Sequence, residues 1–71
     1  MIDVQVKPPF IKLSQFLKFA NVISSGGEAK NYIVDGLVTV NGDICTEKGK
    51  KLYDGYIVGF ESEQYKVSIG E

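Results

Sequence analysis

SSGGEAKNYIVDGLVTVNG, residues Ser24–Gly42, decides how the rest of the chain is read. Ser25 has the chemistry of a helix N-cap, and Glu28, three residues on, can return a hydrogen bond to the cap amide. Ala29, Tyr32 and Ile33 recur at helical spacing, which predicts a helix over about Gly26–Asp35 with one apolar face. Gly36 stands where a left-handed residue closes a helix. Leu37–Val40 is β-branched and strand-like, and Asn41-Gly42 is a strong two-residue hairpin signal. The helix N-terminus concentrates positive partial charge, and Gly26 and Gly27 bare their N–H groups to any anion that approaches. Two explanations of the glycines stay open at this point. Either the turn packs closely on a preceding helix, or a phosphate backbone approaches it closely.

Upstream, Ile2, Val4 and Val6 alternate with polar residues and predict a half-buried strand. Pro8-Pro9 ends it, because proline cannot donate to a ladder. Leu13, Phe16, Leu17 and Ala20 then form the core face of a first helix, extended by Phe19 and Ile23, with Ser14 as the expected cap. Lys12, Gln15 and Lys18 fall on a separate stripe. That stripe is either a solvated face or one edge of a phosphate-binding surface. The connection Asn21–Ser24 is short, so the two helices are neighbours.

Downstream, Asp43–Thr46 can return as the second strand of the hairpin. Glu47-Lys48-Gly49-Lys50-Lys51 is a basic loop around a glycine. Asp54-Gly55 and Glu61-Ser62-Glu63 read as turns flanking a strand at Tyr56–Phe60, and Gln64–Ile69 alternates as a last strand. The two ends of the chain can therefore join one small sheet. The expected class is α+β, with two short helices on a small, mostly antiparallel sheet.

The chain has 71 residues, of which 44% are hydrophobic, which implies a single domain over residues 1–71. The net charge is −1, but it is unevenly placed. Between Lys7 and Lys51 seven lysines face four carboxylates, and the remainder holds one lysine, Lys66, against five. A basic centre between acidic ends points to one anion-binding face, set against the plainer reading of a mixed, solvated surface. Cys45 is the only cysteine, and the lack of bridges suits a reducing compartment. No signal peptide or membrane-length apolar run occurs, which points to the cytosol. There is no histidine, so Ser/His and Cys/His nucleophile pairs are excluded. Zinc clusters, phosphate-binding P-loops and dinucleotide fingerprints have no match, so no enzyme, metal or cofactor is expected.

Lys12-Leu13-Ser14-Gln15-Phe16-Leu17, Ser25-Gly26-Gly27-Glu28-Ala29-Lys30, Gly36–Gly42 and Gly49-Lys50-Lys51-Leu52, in this order, resemble the S4-type RNA-binding domain, or αL motif. The pattern is similar to that of small stand-alone bacterial proteins of the YaaA/YbcJ type. The core of the resemblance runs from about residue 12 to 58. It implies a non-catalytic, monomeric module that presents a basic surface to structured RNA, ribosomal or transfer, with a ribosomal or other protein as a further partner. The RNA-binding positions it implies are Lys12, Ser25, Gly26, Gly27, Lys30, Lys48, Lys50 and Lys51, and the Lys12 stripe adds Gln15 to the candidate site. The chain departs from the family in having no arginine, and lysine lacks the bidentate fork of a guanidinium. The competing reading is a protein-interaction module that keeps the fold and has lost RNA affinity. A continuous lysine stripe favours RNA over that reading.

Overall fold

The computed structural model describes residues 1–23 and 26–70. The hairpin at its centre forms as the sequence predicts. Asn41 and Gly42 take φ values of 53° and 88°, both positive as a type I′ turn requires. They join the third strand, β3 (Val38–Val40), to the fourth, β4 (Asp43–Ile44). Thr39 faces Ile44 and Val40 faces Asp43. The return strand stops at Ile44, two residues earlier than expected, although the Cys45 N–H still donates to the Val38 carbonyl (3.0 Å).

The elements run in the order β1 (Ile2–Val6), β2 (Ile11–Lys12), α1 (Leu13–Phe19), α2 (Gly26–Val34), β3, β4, β5 (Lys51–Leu52), β6 (Ile57–Phe60) and β7 (Glu63–Ile69). Five strands form one sheet in the order β1-β7-β6-β3-β4. All its pairings are antiparallel except β1 with β7, where the two ends of the chain run parallel, Val4 beside Val67. Strands β2 and β5 make a separate two-stranded ribbon.

One face of the sheet is apolar. Val38, Val40, Val58, Phe60 and Val67 are buried, and Leu13, Phe16, Leu17, Ala29 and Ile33 of the two helices are buried with them. The Tyr32 and Phe60 rings, 5.2 Å between centroids, lock α2 onto β6. Both helices end in the same way. Asn21 (φ 62°) and Gly36 (φ 77°) are left-handed. Val22 N–H reaches back to Leu17 and Leu37 N–H to Tyr32, each five residues earlier, as a Schellman motif requires.

Three expectations need correction. The cap of α1 is Lys12, with extended backbone (ψ 150°), and Ser14 lies inside the helix. The reason is that the first helical amides already have partners: Leu13 N–H donates to the Lys50 carbonyl (2.9 Å) and Ser14 N–H to the Lys48 carbonyl (3.1 Å). Backbone from a distant loop does what a capping hydroxyl does elsewhere. Phe19 does not extend the core, because it falls off the edge of the apolar arc and is 61% exposed. Leu37 precedes the strand instead of opening it, and it is exposed. The expected Ser25 cap of α2 lies outside the described residues.

Candidate nucleic-acid interface

The basic loop is placed by backbone bonds. Lys50 N–H closes a turn onto the Glu47 carbonyl (3.2 Å) around Gly49. The carbonyls of Lys48 and Lys50 then dock on the first amides of α1. Directly after the loop, β5 pairs with β2, setting Lys51 opposite Lys12 and Leu52 opposite Ile11. Leu52 is fully buried, so the ribbon has one anchored side and the facing lysines lie on the other.

Two pairs of lysines result. Lys12 and Lys51 are cross-strand partners, and Lys51 Nζ stands 4.9 Å from the centre of the Phe10 ring, where the negative ring face attracts a cation. Lys48 meets Lys30, which α2 carries in its first turns. Hydrogen bonding to Lys30, then repulsion between the like charges, and least of all desolvation, hold the Lys48 pKa below the ordinary 10.5. Gln15 sits beside the first pair, where its Oε1 accepts the Lys12 N–H (3.3 Å). That bond leaves the amide nitrogen as the donor half of the side chain.

Of the expected site residues, Lys12, Gln15, Lys48 and Lys51 lie about the start of α1, and Lys30 of α2 meets Lys48. Lys50 parts from them. Its backbone caps α1, and the residue lines a separate hollow with Asp43, Glu47 and Tyr56. Ser25 lies outside the described residues. Gly26 opens α2 and Gly27 follows it, exposed. A Cβ added at Gly27 would meet nothing within 4 Å. Close packing on α1 therefore does not explain this glycine. Sequence reasoning misses Phe10 at the site. Its only sequence signal is the pair of mirrored dipeptides Ile11-Lys12 and Lys51-Leu52, too short for periodicity to reveal a ribbon.

Among the described residues no cluster of His, Cys, Asp and Glu could hold a metal ion, and no helix is long and apolar enough to cross a membrane.

The S4 domain model matches residues 4–68, nearly the whole chain. The chain belongs to the S4 domain family. A probable ribosome maturation protein of Bacillus subtilis (strain 168), RlbA, is 41% identical over 58 residues, 82% of this S4 domain chain and 82% of RlbA. The solution structure of YbcJ from E. coli superposes with a TM-score of 0.73 at 32% identity. The match covers 96% of this chain and 87% of YbcJ, which is described as having an αL motif involved in RNA binding. This S4 domain thus has the predicted class, two helices on a mostly antiparallel sheet.

Proposed function

We propose that this S4 domain is a non-catalytic module that binds structured RNA, and that the RNA is ribosomal. The carrying observation is the docked basic loop, which sets Lys51 opposite Lys12 and brings the Lys48 and Lys50 backbone onto the first amides of α1. The exposed Lys48 of this loop meets Lys30 of α2, and Lys30 is what lowers its pKa. Such a pair is relieved by an anion placed between them. A phosphate does this, and Lys12 and Lys51 extend the cationic surface along a backbone. The open approach at Gly27 adds helix amides as donors. A-form RNA offers a shallow minor groove and regularly spaced phosphates, so recognition would be by shape and backbone. The family membership supports the same reading. So does the description of YbcJ, and the name of RlbA favours ribosomal over transfer RNA. The chemistry needs no histidine, metal or cofactor, and a cytoplasmic monomer suffices for it.

Fluorescence anisotropy against an RNA hairpin and a matched DNA duplex, over a salt series, tests the proposal. Micromolar or tighter RNA binding that falls steeply with salt is expected. No binding to RNA at low salt overturns it.

A further inference from the structure

An apolar hollow of about 800 Å³ opens where β1 ends beside α1. Val6, Phe10, Ile11 and Phe19 supply its apolar walls, and Gln5 and Lys7 its polar side chains. Two features set it apart from an ordinary surface dent. Phe19 presents a large, 61% exposed aromatic ring to it. Phe10 is shared with the lysine surface, because the opposite demand on its ring is the Lys51 ammonium at 4.9 Å. The hollow is therefore continuous with the proposed RNA face through one side chain.

We infer that this hollow takes a single unpaired nucleobase of the bound RNA, stacked on Phe19, while the phosphates on either side of it lie along the lysines. The inference rests on the RNA-binding reading and adds a ligand feature to it. Charge selects this occupant over an apolar side chain of a protein. Among the described residues the only charged group lining the hollow is Lys7, and Lys51 stands at the shared wall, so the surroundings suit a base carried on a polyanion. The volume lies within the range of small-ligand sites, which combine apolar walls with a few polar groups. Gln5 supplies such a group. Its Nε2 lies 3.5 Å from where a Cβ would stand on Gly70, at the margin of the hollow, and a carboxamide can both donate to and accept from a base edge. Unpaired bases in loops and bulges stack on aromatic rings in this way, with little dependence on which base is present.

Two RNA hairpins with the same stem test the inference. One is fully paired and the other carries a single 2-aminopurine bulge. The bulged hairpin should bind about tenfold tighter, the scale expected for one stacked base, with a change in 2-aminopurine fluorescence. Phe19→Ala should abolish both the preference and the fluorescence change while keeping affinity for the paired stem within about twofold, since Phe19 faces solvent. Phe19→Tyr, which keeps a ring, should retain both. Equal affinity for the two hairpins overturns the base pocket and leaves RNA binding standing. A bulge preference that survives Phe19→Ala also overturns it. Failure to bind either hairpin overturns the RNA reading itself and the pocket with it.

Discussion

Lys48 stands against Lys30, whose ammonium favours the neutral Lys48 amine as a hydrogen-bond acceptor and repels its charged form, and so lowers the Lys48 pKa. The arrangement does not depend on a loose loop. The Lys48 carbonyl accepts the Ser14 N–H of α1 at 3.1 Å, while Lys30 is carried by α2. The packing of α1 on α2, with Leu13, Phe16, Ala29 and Ile33 buried between and beneath them, therefore sets how the two ammonium groups meet. A core built from apolar residues positions a charge pair that the free side chains would otherwise disperse.

The pair should be visible in its titration. The folded value of Lys48 is lowered, so between it and the ordinary 10.5 the unfolded chain binds more protons than the folded one. Repulsion weakens the fold fully below that window and is relieved as pH rises through it. An NMR titration of the Lys48 side chain should find it losing its proton below the ordinary 10.5. Lys30→Gln should move it back up towards the ordinary value. RNA binding should raise it too, because phosphate favours the charged form, so the complex takes up protons in alkaline buffer. A Lys48 midpoint at the ordinary 10.5 would sink the pairing.

Salt dependence separates the lysines from one another. Removing one lysine–phosphate interaction reduces the slope of log K against log salt by about one. Replacing Lys30 and Lys48 together by Gln should therefore reduce it by about two, with weaker binding at low salt. Lys50→Gln should change the slope much less, since Lys50 lines a separate hollow together with Asp43 and Glu47. If Lys50→Gln costs as much as the double change, Lys50 belongs with Lys48 on the RNA face and the loop lysines are not divided.

The central hairpin, both helices, the strands at the two ends and the apolar face of the sheet were legible in the sequence, because each has a local signature. Asn41-Gly42 needs only its two positive φ values, and Leu13, Phe16 and Leu17 need only a helical period. What was not legible depends on partners far along the chain. Ser14 reads as a cap until the carbonyls of Lys48 and Lys50, more than thirty residues away, are seen to satisfy the amides. Phe19 sits one step outside an arc that the sequence delimits only loosely. The lysines could be named but not sorted. Composition treats Lys48, Lys50 and Lys51 alike, and only the fold sets Lys50 at a separate hollow and Lys48 against Lys30.

Gly27 separates stability from binding. Its Cβ position is open, so Gly27→Ala introduces no clash, and alanine favours the helix over glycine by up to about 1 kcal/mol. Thermal unfolding should show an unchanged or raised Tm. RNA affinity should nevertheless fall, because the methyl group stands where the backbone of the ligand approaches. A variant that is both more stable and binds as well as the parent would show that the helix N-terminus takes no part in recognition.

Asn41 tests how firmly the hairpin holds the loop in place. Its Oδ1 accepts the Ile57 N–H (2.9 Å) and its own N–H donates to the Ile57 carbonyl (2.7 Å), so β3 is tied to β6 at the turn itself. Asn41→Gly keeps the positive φ and removes only the side-chain bond, which should cost about 1 kcal/mol. Asn41→Ala removes the bond and also places a Cβ in the left-handed region, adding about 1 kcal/mol or more. Urea unfolding should therefore rank the parent above Gly and Gly above Ala. Because β4 and the Cys45–Val38 bond lead from this turn into the basic loop, the Ala variant should also loosen Lys48, and its pKa should rise as it leaves Lys30. Equal destabilisation by Gly and Ala would mean that the turn relaxes to accept a side chain, and the loop would then be held by its bonds to α1 alone.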